Sequence, residues 1–170
     1  ITITFKRAVE KLTDAKIIVV GPGVKTGLKI LIDDPAQLGS DLVVDAVAGV
    51  AEYPTPQIII DMGTATTFSV ISSEGSYLGG VISTGMAVSA EALFNRTSQL
   101  PRISFDKPKR VIGKNTVDCM KSGIMYSTAC SIDGMIEKLE EELGEKCTVI
   151  ATGGLAGVVT PLCKRKIILD

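Results

Sequence analysis

Histidine is missing from all 170 residues. Its absence excludes a Ser–His–Asp or Cys–His device within this chain and leaves general-base work to a carboxylate or a lysine. Close cysteine pairs are missing as well. Cys119, Cys130, Cys147 and Cys163 form no CxxC pair, and without histidine they supply no zinc-ligand spacing. Cys119 and Cys130 fall in one expected helix, eleven positions apart, too far to bridge. All four are expected to be reduced packing residues of a cytoplasmic protein. No run is long and apolar enough to span a bilayer, and no secretory signal is visible. A net charge of −1 gives no electrostatic case for nucleic acid or an anionic membrane. The basic run KPKR (107–110) is short and reads as a solvated turn.

What is present is patterned as one ordinary domain or two small lobes of an α/β protein. TFKRAVEKL (4–12) places Phe5, Val9 and Leu12 on one helical face. KIIVV (16–20), ended by GPG, predicts a buried strand, followed by the glycine-punctuated loop GVKTGL (23–28). Residues 33–53 predict a turn leading into a helix, with Leu42, Val43, Ala46, Val47 and Val50 at helical spacing. PTP (54–56) closes that helix and is the best internal boundary. QIIIDMG, TATTFSVIS and YLGGVIS predict a three-stranded meander with two short turns. A helix is expected over 85–100, an irregular connection over 101–113 and a long helical region over about 115–143. Strand, glycine turn and helix follow over 147–159, then a short strand over 166–169. The chain opens on Ile1 and runs at once into a helical pattern, which suggests that this is not a natural start.

Four stretches can carry chemistry. In IIIDMGTATTFSVI (58–71) a strand ends on Asp61, and Gly63 and three threonines follow. Gly63 permits close backbone approach to a phosphate, and Thr64, Thr66 and Thr67 can donate to its oxygens. Asp61 can hold a cation that neutralises them. A plain hairpin would use the same residues to cap a turn and fill β positions, but the density of hydroxyls favours phosphate. IATGGLAG brings Gly153 and Gly154 to a helix entrance, suited either to close ligand approach or to tight strand–helix packing. In LGSDLVVDAV, Asp41 sits at a helix start two residues after Gly39, where capping alone would account for it. Asp45, one turn on, reads as a surface charge. In IGKNTVDCMKSG, Asn115 or Thr116 is placed to cap the long helix.

Taken in order, VVGPGVKTGL, DDP, LGSD, DMGTATT, GGVISTG, LP, IGKNT, SG and ATGG closely resemble the type III pantothenate kinases over essentially the whole chain. The resemblance implies the ribonuclease-H-like (actin-like ATPase) fold of the acetate and sugar kinase/Hsp70/actin superfamily. Residues 1–56 would be the end of the first lobe and 57–170 a complete second lobe. It implies phosphorylation of pantothenate by ATP, the first step of coenzyme A synthesis, with Mg²⁺ and a monovalent cation, potassium or ammonium. It also implies a cytoplasmic homodimer with no nucleic-acid or membrane partner. Carried over by position, Asp41 falls on the proton acceptor, Gly39, Ser40, Asp41 and Leu42 on the substrate segment, and Thr116 on a pantothenate contact. Asp61 falls on the monovalent-cation ligand. Thr64 falls on an ATP contact within the phosphate loop of Gly63, Thr64, Thr66 and Thr67, and Gly153 and Gly154 lie at the adenosine side.

Two of the departures from the family pattern fall on the pantothenate pocket and none on the nucleotide motifs. Leu42 stands where an arginine normally follows the aspartate, removing a bidentate grip on the pantothenate carboxylate. Ile32 replaces a tyrosine, DDP replaces DNP, Thr84 replaces a proline and Ser127 a glycine. The family's opening phosphate loop, whose aspartate engages Mg²⁺, has no counterpart in these residues, so the isolated chain is expected to be inactive. A nucleotide-binding paralogue with altered or lost pantothenate kinase activity, or a kinase for a different small acceptor, stands as the alternative.

Overall fold

The computed structural model describes residues 2–21 and 24–170. Ile1, and Pro22 and Gly23 of the GPG turn and following loop, lie outside the described residues. The chain opens with α1 (Thr2–Val9), and a 3-10 turn over Pro35–Gln37 then precedes α2 (Ser40–Glu52). A five-stranded sheet is built from β1 (Gln57–Met62), β2 (Ala65–Ile71), β3 (Tyr77–Thr84), β4 (Thr148–Thr152) and β5 (Ile168–Leu169). Between its strands lie α3 (Met86–Arg96), α4 (Thr116–Leu143) and the short α5 (Ala156–Val159). The strand order is β3-β2-β1-β4-β5. β2 is antiparallel to β1 and β3, whereas β4 is parallel to β1 and β5 to β4, so β2 alone runs against the rest. This is the topology of a ribonuclease-H-like lobe, and it confirms the expected α/β class.

The central strand explains its own composition. β1 is covered on both faces, so it reads as an unbroken apolar run and not an alternating one. Ile58, Ile60 and Met62 join Phe68, Val149, Ala151 and the buried side chains of α3 and α4 in the main core. Ile59 points the other way and joins Ala46, Ile71, Tyr77 and Ile150 beneath α2. Asp61, two residues after Ile59, inherits that second face.

Two contacts fix α2 on the sheet. The fully buried Gln57 donates from Nε2 to the Gly49 carbonyl (2.8 Å) and the Tyr53 carbonyl (2.7 Å), tying the helix C-terminus to the start of β1. Gly49 itself lies so near β1 that a Cβ there would come within 2.7 Å of Ile59 Cδ1 and 2.8 Å of Gln57 Oε1. From Gly49 back to Asp41 the helix covers about 12 Å. From Gln57 to Asp61 the strand covers about 13 Å in the same direction. Matched lengths set the first turn of α2 above the end of β1.

At the far end of the sheet, the buried Glu140 of α4 accepts from Cys147 N–H (3.0 Å), Lys146 Nζ (2.7 Å) and the Arg165 guanidinium. Burial pushes its carboxyl up, but these donors outweigh burial and hold it below the ordinary value. A carboxylate buried this deeply is tolerated because it is fully paired.

Two expectations are corrected. KIIVV forms no strand, and Ile18, Val19 and Val20 are exposed. A β-branched run becomes a strand only where a neighbour completes its ladder, and no described strand pairs with it. Cys119 and Cys130 are exposed and not packed, because both fall on the outer side of α4, whereas Cys147 and Cys163 are half-buried. The meander, both long helices and the irregular 101–113 segment follow the sequence reading.

Gly49→Ala is expected to lower stability by about 1–3 kcal/mol, because overpacking against Ile59 and Gln57 exceeds the helix-propensity gain of about 1 kcal/mol. Gly123→Ala and Gly134→Ala in α4 meet nothing within 4 Å and should instead stabilise. Urea denaturation of the three variants checks the difference in sign.

Candidate functional site

Asp61, the penultimate residue of β1, lies opposite Thr67 of β2 and Thr152 of β4. Cross-strand neighbours share a face, so the three residues form a row across the sheet beneath the N-terminal turn of α2. The Thr67 hydroxyl is buried without a hydrogen-bond partner among the described residues. Strand alternation sends Thr66 to the opposite face, where its hydroxyl is likewise buried and unpartnered, so it does not join Asp61. Gly63 and Thr64 form the exposed turn between the strands, with Gly63 N–H donating to the Ala65 carbonyl (3.0 Å) and Gly85 N–H to the Thr64 carbonyl (3.1 Å).

Gly153 ends β4 beside this row at φ +93°, a conformation that favours glycine. A Cβ there would fall 2.6 Å from Asp61 Oδ1 and 2.7 Å from Met62 N. Both glycine readings of the ATGG turn are therefore compatible with the packing: the bare backbone is what leaves room for the Asp61 carboxylate. Gly154 is exposed with open space around it.

Above the row stands the first turn of α2. Its N-cap, Gly39, makes no side-chain cap, and Asp41 lies in the first turn, exposed, where the helix dipole favours an anion. The Asp41 carboxylate folds back over Gly39, so a side chain at that position would displace it. Asp45 lies one turn further on the same helix face. Burial raises the Asp45 carboxyl above the ordinary aspartate value, and Asp61 and Asp41 raise it further. Burial and then Asp41 raise Asp61 in the same way. Asp45 is thus no surface charge, as its composition-based reading had it. Its spacing from Asp41 was the available signal, since residues four apart in a helix share a face. Thr152 belongs to the ATGG stretch already singled out, but that it faces Asp61 is revealed only by the parallel β1–β4 register.

A cleft of about 530 Å³ opens beside Asp41, reaching Gly39, Leu42 and Thr67 and running past Ile32 and Leu38 toward β3. Thr116 does not line it. Thr116 begins α4 directly after Asn115, whose side chain accepts from Asp118 N–H (2.9 Å), so Asn115 is the cap.

With this geometry in place, the comparisons with known proteins are specific. The family model for type III pantothenate kinase matches residues 1–138. The chain belongs to the type III pantothenate kinase family. It is 46% identical over 159 residues to the type III pantothenate kinase of Bacillus cytotoxicus, covering 94% of this chain and 61% of that protein. It therefore spans about three fifths of the length of this family relative. Among solved structures it is similar to a conserved putative Baf family transcriptional activator from Campylobacter jejuni (TM-score 0.47, 23% identity, 82% of this chain, 61% of that one). It is also similar to the ethanolamine utilization protein EutJ from Carboxydothermus hydrogenoformans (TM-score 0.49, 14% identity, 98% of this chain, 66% of that one). Likenesses of that size add nothing to the strand order already described. Beside the motif order of the sequence, the structure adds the mutual influence of Asp41, Asp45 and Asp61 at one end of the sheet.

A carboxyl raised on folding destabilises the folded state once it ionises. The Asp45 penalty is therefore absent below its unfolded value of 3.8 and develops as pH rises through the higher folded value. Asp45→Asn should raise the urea midpoint at pH 7, and the gain should vanish in acid below pH 3.8. Denaturation curves at the two pH values check it.

Proposed function

We propose that the protein transfers the γ-phosphoryl group of ATP to pantothenate, giving 4'-phosphopantothenate for coenzyme A synthesis. Residues 1–56 belong in this reading to the end of a first lobe and 57–170 to the second. The observation that carries it is the convergence of Asp41, at the head of α2, on Asp61 and Thr67 at the ends of β1 and β2. Asp41 lines the cleft and in this reading takes the proton of the acceptor hydroxyl as that oxygen attacks phosphorus. Gly39, Ser40 and Leu42 border the same turn and shape the acceptor site. Phosphoryl transfer asks mainly for positioning and charge neutralisation; the row beneath Asp41 would help with positioning, and a cation held at Asp61 would supply the neutralisation. The turn at Gly63 and Thr64 presents backbone and hydroxyl donors, while Gly153 and Gly154 leave bare backbone beside them for the nucleotide.

A cation fits this row. Asp61 is half-buried and pressed by Asp41, and the Thr67 hydroxyl opposite it has no partner among the described residues. Hard oxygen donors of this kind suit potassium or ammonium at Asp61. The described residues contain no cluster of three His, Cys, Asp or Glu side chains to cage a metal. That is compatible with Mg²⁺, which keeps its waters and is held by one or two carboxylates with substrate phosphates. A bound cation would neutralise the phosphate charge. Cytoplasmic location and a homodimer belong to the same proposal through the family. No described helix is long and apolar enough to cross a membrane.

In the full-length protein, ADP should form from ATP and pantothenate in potassium and fail to form when sodium replaces it. Asp41→Asn should lower kcat by about 10²–10⁴-fold, the usual contribution of a positioned base, with the fold retained by circular dichroism. A full-length protein silent in potassium would overturn the reading.

A further inference from the structure

A surface helix buries an apolar stripe and shows charge on the opposite face. α4 keeps the first half of that rule and departs from the second. Met125, Ala129, Ile132 and Ile136 point into the core. On the other side Thr116, Cys119, Gly123, Ser127, Cys130 and Gly134, three or four apart, form an exposed stripe. Residues 122–132 carry no charge. The charges that bound them are engaged elsewhere: Lys121 pairs with Asp106 (2.6 Å), and Asp133 accepts from the Lys164 and Arg165 N–H groups (2.8 and 3.0 Å). Exposed apolar side chains adjoin the stripe, Val117 on α4 itself and Val111 (62% exposed) and Ile112 (80%) just before it. Ser122 Oγ donates to the Val111 carbonyl and holds that segment against the helix. Exposed apolar surface of this kind marks interaction sites.

Charge returns at the two ends of the stripe, with opposite sign. At the head of α4, Lys109, Arg110 and Lys114 gather round a depression of about 240 Å³. None of the three has an ion-pair partner among the described residues. Asp118 also lines it and accepts from Asn115 Nδ2 (2.8 Å). Toward the tail the stripe runs on into the exposed Glu137 and Glu141, the second paired with Lys138 (2.8 Å). A reversed copy of the same helix answers both ends at once, as a two-fold axis requires. Measured from Met125, Lys114 lies about 17 Å toward the head and Glu137 about 18 Å toward the tail. Reversal therefore sets them at nearly the same level, with Glu137 also close to the positive end of the partner helix. The small side chains between allow the axes to approach to about 8 Å. We infer that this face of α4 docks a second copy of the chain, helix against helix and antiparallel, with Gly123 opposite Ser127. The inference rests on the homodimer proposed above and names its surface.

Sedimentation velocity and short-arm bis-maleimide cross-linking of the full-length protein test it. A dimer is expected, with Cys119 of one copy joined to Cys130 of the other in the linked peptides, and the link should vanish in Cys119→Ser. Ser127→Arg sets a guanidinium on the contact from both copies. It should raise the dimer dissociation constant at least about a hundredfold, the scale of juxtaposed like charges, with the fold retained by circular dichroism. Lys114→Glu should weaken the dimer about tenfold, and adding Glu137→Lys should restore it. Salt should weaken the unmodified dimer. A dimer untouched by Ser127→Arg, or linked through other residues, overturns the interface and leaves the homodimer standing. A monomer at micromolar concentration overturns both. A monomer whose Cys119 and Cys130 resist maleimide puts another part of the full-length chain on this face, which also overturns the inference. ADP formation by the unmodified protein reports on the kinase reading separately.

Discussion

The buried amide of Gln57 is the contact on which the site depends. It spends both protons of its Nε2 on carbonyls in the last turns of α2, one from Gly49 and one from Tyr53. The Gly49 carbonyl already accepts from Tyr53 N–H (2.9 Å), but the helix end leaves the Tyr53 carbonyl without an intrahelical donor, and a buried carbonyl without a partner costs about 1–3 kcal/mol. Gln57 meets that need from the first position of β1, so helix and strand are registered to each other before any ligand is considered. Because the two elements then cover nearly equal distances, backbone geometry brings Asp41 near enough to Asp61 to raise its carboxyl. The cost is visible in the two raised carboxyls, Asp45 and Asp61. Stability is given up where charge is concentrated, a common mark of functional sites.

Local signals made most of the sheet legible. The turns at Gly63 and Gly75 bracket β2, and the apolar runs on either side have strand length. The long α4 was legible from its period despite Gly123 and Gly134, because Met120, Ile124, Ile132 and Ile136 all point inward. KIIVV misled because strand formation is a property of pairs, and its composition says nothing about whether a neighbour exists. Thr66 and Thr67 are adjacent in sequence but face opposite sides of β2, a division set by the pleat and invisible in a count of hydroxyls. Asp45 was legible in principle from its i,i+4 relation to Asp41. Its proximity to Asp61 was not, since that follows from the docking of α2.

The proposed phosphate side and the proposed acceptor side of the site differ in character. Around Asp61 the chain offers glycine backbone, hydroxyls and a carboxylate, the groups that suit phosphates and a cation. Around Asp41 it offers aspartates and aliphatic side chains. Leu42 lies at the seam, half-buried in the cleft and one position from the proposed base. A single side chain at that seam therefore alters the chemistry of the acceptor site while leaving Asp61 and the glycine turns untouched.

Gly49 gives α2 one further property, that of a lever. The helix meets the sheet most tightly near its C-terminus, and Asp41 lies about 12 Å along it. A tilt of only about 5° at the Gly49 contact sweeps the Asp41 carboxylate through about 1 Å. Displacements of that size are enough to change the rate of a positioned reaction by about a hundredfold. The absent side chain at Gly49, remote from every reacting group, thereby sets the distance between the proposed base and the acceptor oxygen.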